Sequence, residues 1–347
     1  MRIALALGDA GGVGPELAAR LMAHPDLQDH EVIAIGAENV LNMGIEHAGV
    51  DLNVTVIAAD DLCQTLPARH VLVDLANCAP DGITIGRSNP AAGEASLQNF
   101  AAALRLGQAG LVDAVMFTPF NKHSMRLARP AYVDEIGFID AVLGAERSGR
   151  EFNVLEEVWN ARVTSHVPLR AVADRLSIDR ILSSIRLTSE VMAAAGKPGA
   201  RIGVAALNPH AGDGRNFGDE DEDIIAPAVD LAVAEGFDVK GPIPSDTVFV
   251  RAIRGEFDAV LTMYHDQGQI AIKLLGFDRG VTLIAGYDFP IVTPAHGTAY
   301  DIAGQGRADL GATRAAARLG IDLASMNPRR DAQAALAPDW ATAAVEG

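Results

Sequence analysis

Three apolar, strand-like runs in this chain end on a histidine: ARVTSH at His166, RIGVAALNPH at His210 and DAVLTMYH at His265. In an open α/β sheet, ligands gather beyond the carboxyl ends of the strands. Imidazole nitrogens suit divalent metals, so three of them delivered to one such edge could hold a single ion and leave coordination positions for a substrate. A lone histidine at a strand end is more often an ordinary surface or core residue. The repetition at matching topological positions carries the reading. His24, His30, His47, His70 and His123 have no such spacing and are expected to be structural.

Residues placed in this way need a scaffold of strands and crossovers. RIALALG, EVIAIGA, HVLVDLA, DAVMFTP, ARVTSHV, RIGVAAL and DAVLTMY read as buried strands, being short runs rich in Val, Ile, Leu and Ala. Amphipathic stretches such as PELAARLMAH, ASLQNFAAALRLGQAG and DEDIIAPAVDLAVAEG lie between several of them. The alternation predicts βαβ units and largely parallel sheets. At 347 residues and 49% hydrophobic content, the chain fits two domains that share it discontinuously. After about Met326 the periodicity fades, and a frayed or surface-packed tail is expected.

The net charge of −17 argues against nucleic acid or an anionic membrane surface as partner, since both reward clustered Lys and Arg. Cys63 and Cys78 are the only cysteines and form no CxxC, so neither a disulfide framework nor a thiolate metal site is expected. The amino terminus reads as a first strand rather than a signal peptide, and no apolar run reaches the length of a membrane span. A cytoplasmic location is the expectation. The turn from Gly8 to Glu16, GDAGGVGPE, is neither a GxGxxG fingerprint nor a GxxxxGK[ST] loop. It is either an anion-binding helix start or a tight structural turn, and the residues alone leave both open.

Four longer segments carry a resemblance: LNPHAGDGRNFGDED from Leu207, GPIPSDTVF from Gly241, YHDQGQIAIKLLGFDRGV from Tyr264 and HGTAYDIAGQGRAD from His296. Together with GDAGGVGPE and TPFNK they resemble the 4-hydroxythreonine-4-phosphate dehydrogenase family, which is related to isocitrate and isopropylmalate dehydrogenases. The resemblance implies an α/β fold of two α/β/α domains with a cleft between them. The expected divisions are residues 1–125 with 268–347 as a cofactor-binding domain, and 126–267 as a metal, substrate and dimerisation domain. It further implies a homodimer with shared active sites and NAD or NADP as cofactor. One divalent ion (Zn, Mg, Mn or Co) would be held by His166, His210 and His265, with His265 offered across the dimer interface. The reaction implied is oxidation of a hydroxyl β to a carboxylate, followed by loss of carbon dioxide.

Such chemistry needs a base for the hydroxyl proton, because hydride leaves more readily from an alkoxide than from an alcohol. Asp246 in PSDT is the first candidate, with Asp266 in HDQ as base or as orienting partner of His265. The alternative role for Asp246 is to cap a helix. Lys122, closing the AVMFTPFNK run, is a candidate proton donor or carboxylate holder. His296, Gly297, Thr298 and Asp301 are carried over as cofactor contacts from the adenosine-binding loop of the wider dehydrogenase group.

Departures from the family pattern concern the substrate. The usual GHTE segment is replaced by Asp134-Glu135-Ile136-Gly137, which puts a carboxylate at Glu135 and an apolar residue at Ile136. The family's phosphate-holding Lys, Asn and Arg appear as Lys273, Thr282 and Ile291, and Arg215 is an unexpected cation beside His210. Loss of a bidentate Arg predicts a small, non-phosphorylated carboxylate substrate, such as an aromatic cis-dihydrodiol carboxylate. Arg215 could instead rebuild an anion site. The alternatives are 4-hydroxythreonine 4-phosphate, threonate or erythronate 4-phosphate, or a non-catalytic cofactor-binding or regulatory protein.

Overall fold

The computed structural model describes residues 1–63, 65–79, 82–326 and 336–343. The first part of the chain runs β1 (Arg2–Ala6), α1 (Gly14–Met22), β2 (Glu31–Gly36), α2 (Glu38–Ala48), β3 (Thr55–Ala58), β4 (His70–Asp74), α3 (Pro90–Gln108), β5 (Ala114–Phe117), α4 (Lys122–Ala128) and α5 (Glu135–Leu143). It continues with β6 (Arg150–Val154), β7 (Trp159–Arg162), α6 (Ile178–Ala194), β8 (Ile202–Ala205), α7 (Ala226–Ala234), β9 (Val239–Ile243), α8 (Ser245–Ile253), β10 (Ala259–Thr262) and α9 (His265–Gly276). Strands β11 (Val281–Ala285) and β12 (Ile291–Pro294) and helix α10 (Gly311–Met326) complete it.

Two compact units share these elements: Met1–Gly149 with Tyr287–Gly347, and Arg150–Gly286. The discontinuous arrangement matches the expectation, but the borders expected after 125 and after 267 do not. Residues 126–149 stay with the first unit, where α5 packs on α3. A cut at 267 would split α9 and detach β11, which pairs antiparallel with β6 from Val281↔Val154 to Ala285↔Arg150.

In the first unit the strand order is β3-β4-β2-β1-β5-β12, and the pairings are parallel. Parallel strands are covered on both faces, so they read as continuous apolar runs rather than alternating ones. The β1 sequence RIALA is buried from Ile3 onward. Each Leu or Ile fully withdrawn from water, Leu5, Ile33, Ile35 and Leu72 among them, contributes about 1.5–3 kcal/mol. Helix α3 starts where Asn89 accepts from Ala91 N at 2.7 Å with Pro90 at the first helical position, and it buries Leu97 and Phe100. Beyond it, Arg105 donates to Trp340 O at 2.8 Å and Ala343 O at 2.9 Å, so this part of the tail is packed down, with Trp340 buried. Residues 327–335 of that expected tail lie outside the described residues.

In the second unit the order is β11-β6-β7-β10-β8-β9, with β7, β10, β8 and β9 parallel and the β11–β6 and β6–β7 pairs antiparallel. Leu155, Val158, Ile243, Val248, Phe249, Val260 and Ile272 form a core cluster there. Six of the seven expected strands are present along their runs; ARVTSHV is strand only at Ala161–Arg162, the end of β7. Strands β3, β6, β9, β11 and β12 were not anticipated, because they are short, contain polar residues or Pro, or carry no crossover signal. No described helix is long and apolar enough to cross a membrane.

Candidate active site

Adjacent parallel strands β7, β10 and β8 deliver the three histidines, as their spacing predicted. Strand β7 closes at Arg162, β10 at Thr262 and β8 at Ala205, so His166 and His210 lie on the turns that follow and His265 opens helix α9. Thr164 Oγ1 donates to Met263 O at 2.7 Å and ties the first turn to the second. His166 and His265 face each other, with ring centroids 5.8 Å apart. His265 Nδ1–H donates to Asp266 Oδ1 at 2.6 Å, which fixes the tautomer and leaves the Nε2 lone pair for another partner.

His210 stands on a separate short turn at φ +54°, followed by Ala211 at φ +56°. Two consecutive non-glycine residues in the left-handed region cost of order 1–3 kcal/mol each, and such strain persists only where the surroundings enforce it. The enforcing group is Asp221, fully buried, whose carboxylate accepts from Leu207 N at 2.8 Å and Asn208 N at 3.0 Å. Asp221 was not singled out from the sequence, although its place in the GDED segment was on view.

The donor set suits a divalent ion only in part. Two neutral imidazoles, one with its tautomer set, are appropriate ligands. Among the described residues of one chain, however, no group of three or more His, Cys, Asp or Glu is close enough to hold a metal. The expected trio is therefore not gathered within a single chain.

Asp246 and Asp266 line one groove of ≈ 450 Å³ between α8 and α9, together with Gln267 and apolar residues. Asp246 is exposed in the first turn of α8 and does not cap it: the capping position is Pro244, with no side-chain bond. Asp266 is spent on His265, which favours its orienting role. Gln267 and Ser245, both missed in the sequence, brace the groove. Gln267 accepts from Met263 N at 2.7 Å and donates to Ala206 O at 2.7 Å, where Ser245 Oγ also donates at 2.9 Å.

In the first unit, the turns after β1, β5 and β12 meet. Gly8 N donates to Thr118 Oγ1 at 2.8 Å, Val13 N to Thr298 O at 3.0 Å and Asn121 Nδ2 to Thr298 Oγ1 at 3.5 Å. A Cβ at Gly12 would lie 2.7 Å from Thr298 Cβ, so this glycine permits protein packing, which favours the tight-turn reading of GDAGGVGPE. Of the expected cofactor contacts, Thr298 is buried, His296 is half-buried and Gly297 and Asp301 are exposed. Lys122 Nζ pairs with Glu135 Oε2 at 2.8 Å, while Ile136 beside it is half-buried.

Asp9, fully buried in this unit, accepts from Gly11 N at 2.8 Å through Oδ1, and Oδ2 has no partner among the described residues. Burial pushes its carboxyl pKa up, against the smaller lowering effects of the nearby Ser124 and Tyr300 hydroxyls and of the Gly11 bond. Its stabilising contribution is therefore full below the unfolded pKa and lost as pH rises through the folded one. Asp9→Asn imitates the neutral acid at every pH. It is expected to raise Tm at pH 8 by a few degrees, roughly 2–4 °C per kcal/mol, with the gain shrinking towards pH 4. Thermal scans across that range check it; a variant that melts lower at pH 8 contradicts the assignment.

The expected substrate contacts fare unevenly. Lys273 is exposed on α9, and Thr282 is half-buried on β11. Ile291 is fully buried in β12, packed in register with Val115, so it is a core residue and not a substrate contact. Arg215 is not a free cation either: its guanidinium pairs with Asp219 at 3.3 Å, Glu222 at 3.0 Å and Asp223 at 2.7 Å. Three carboxylates leave it no surplus charge for an anion.

Parallel strands that present imidazoles and carboxylates beyond their carboxyl ends, in a discontinuous α/β chain, are the arrangement in which α/β enzymes gather their ligands. The profile of the pyridoxal phosphate biosynthetic protein PdxA matches residues 28–320, and the chain belongs to that family of NAD(P)-dependent oxidative decarboxylating dehydrogenases. A protein of Rhizobium meliloti (strain 1021), provisionally named 4-hydroxythreonine-4-phosphate dehydrogenase 2, is 54% identical over 323 residues, 93% of each chain. Among solved structures, 4-hydroxythreonine-4-phosphate dehydrogenase from Klebsiella pneumoniae is 32% identical with a TM-score of 0.78, covering 93% of this chain and 99% of that one. Terephthalate 1,2-cis-dihydrodiol dehydrogenase from Burkholderia xenovorans LB400 is 27% identical with a TM-score of 0.64, covering 93% and 98%.

Proposed function

We propose that this dehydrogenase oxidises a phosphorylated hydroxy acid of the 4-hydroxythreonine 4-phosphate or threonate 4-phosphate type, using NAD or NADP and one divalent ion. The observation that carries the reading is the facing pair His166 and His265, with Asp266 fixing one tautomer, beside the groove that Asp246 lines. When bound, the ion would lower the pKa of the substrate hydroxyl and stabilise the enolate left by decarboxylation. His166 and His265 would hold it, with His210 as the third ligand. Asp246 takes the hydroxyl proton, and Asp266 keeps His265 in register. Segment 296–301 lies beside the cofactor's adenosine end. The unit Arg150–Gly286 serves the metal, substrate and subunit contact, and the other unit serves the cofactor.

A homodimer accounts for the incomplete ligand set of one chain, since a neighbouring subunit can complete it. The surface that supports dimerisation is the apolar exposure on α8 and α9: Val250, Ile253, Ile270 and Leu274, the last 82% exposed. Unpaired apolar surface of this kind is characteristic of protein contacts.

The substrate reading departs from the non-phosphorylated acid expected from the sequence. That expectation rested on Glu135 repelling a phosphate and on missing cations. Lys122 neutralises Glu135, and the relatives named for phosphorylated substrates resemble this chain more closely than the dihydrodiol enzyme does. Formation of NADH or NADPH should be followed with 4-hydroxythreonine 4-phosphate, D-threonate 4-phosphate and a terephthalate cis-dihydrodiol. The expected result is kcat/KM at least about tenfold higher for a phosphorylated acid, the discrimination of a single well-made anion contact. Preference for the dihydrodiol would overturn the substrate class, and cofactor binding without turnover would restore the non-catalytic alternative.

A further inference from the structure

Arg162 is the last residue of β7 and was not singled out from the sequence. Its side chain is 1% exposed, and its Nη2 lies 2.7 Å from both Asn153 Oδ1 and Glu151 Oε1. Nε and Nη1, also buried, face no hydrogen-bond partner among the described residues. Buried guanidinium donors are seldom left unmade, because desolvation without a bond is costly. Only an acceptor, and by preference an anion, satisfies these N–H donors.

Position and charge point the same way. Arg162 pairs in register with Thr262 on β10, so it sits on the two strands that lead to His166 and His265. Asn153, which it contacts, reaches on to Thr282 Oγ1 at 3.4 Å on β11. Arg180 donates to Val163 O at 3.1 Å next door, and its charge, after burial, is a second cause lowering the Arg150 pKa. Arg162 is balanced by one carboxylate, Glu151, where Arg215 faces three. Arg215 is saturated and Ile291 is apolar, so neither competes for the role.

We infer that Arg162 is a specificity-determining residue that receives the phosphate of the substrate, entering from the side of Glu151, the more exposed member of the pair. This rests on the phosphorylated-acid reading above for its substrate, though not for its binding test. Calorimetric titration of the purified full-length protein with inorganic phosphate should show binding that weakens about tenfold or more in Arg162→Leu and tightens in Glu151→Gln, which removes a competing carboxylate. Because Arg162→Leu leaves Glu151 without its cation, the double variant Arg162→Leu/Glu151→Gln, checked by circular dichroism, provides a folded control with the same loss. The KM for the phosphorylated acid should rise in parallel. Absence of phosphate binding by the unaltered protein, or equal affinity in the folded double variant, overturns the assignment. Phosphate binding that follows Arg162 without turnover of any phosphorylated acid would instead retain the anion site and sink the substrate reading.

Discussion

His265→Ala is expected to lower kcat/KM by about 10³-fold or more while the fold survives. A divalent ion contributes several kcal/mol to stabilising an alkoxide and enolate, and each ~1.4 kcal/mol is tenfold in rate. His265 is half-buried at the first residue of α9, so its truncation opens no core cavity. Its ring centroid lies 5.8 Å from that of His166, and its Nδ1 is committed to Asp266. Asp266→Asn, which loosens the imidazole without removing it, should cost only about 10–100-fold, the range for partners that orient a metal ligand. His210→Ala should match His265→Ala. The measurements are steady-state rates with Zn, Mn, Mg or Co supplied, metal content by elemental analysis, and circular dichroism. Undiminished activity and metal content in His265→Ala would remove the ligand assignment.

The sequence disclosed the parts of this molecule that obey local rules. Strands β1, β2, β4, β5, β8 and β10 are largely apolar runs, visible without neighbours, whereas β7 is buried but carries Asn160 and Arg162. Strand β6, REFNV, was not visible: its polar residues look like a turn until β7 and β11 flank it and Arg162 pairs with Glu151. The same reason hid Arg162, whose burial depends on an antiparallel pairing that no residue spacing announces. Lys122 and Glu135 were each legible as chemistry, but their 2.8 Å ion pair is tertiary, and without it Glu135 looked hostile to phosphate. Arg215 failed in the opposite sense. Its three acidic neighbours all lie within the GRNFGDEDED stretch, so its neutralisation could have been read from the spacing. Topology puts the three histidines beyond adjacent strands, but among the described residues of one chain they are not gathered around one ion.

Asp246→Asn is expected to reduce kcat by about 10²–10⁴-fold, the usual contribution of a positioned general base, with Tm and cofactor affinity little changed. The carboxylate has no structural employment that would explain it otherwise. Pro244 occupies the capping position, Ser245 is the residue bonded to Ala206, and Asp246 stands exposed at the rim of the groove it shares with Asp266. Asparagine keeps the size and loses the basicity, so the variant separates proton transfer from shape. Single-turnover formation of NADH or NADPH measures that step directly, and KM within a few-fold of the unaltered enzyme would show that substrate still docks. Lys122 is the other candidate, but its ammonium is engaged by Glu135, which suits a donor better than an acceptor. If Asp246→Asn retains more than half of the single-turnover rate, the base is elsewhere. Asp266 then becomes the group to test, and its bond to His265 would have to break before it could accept a proton.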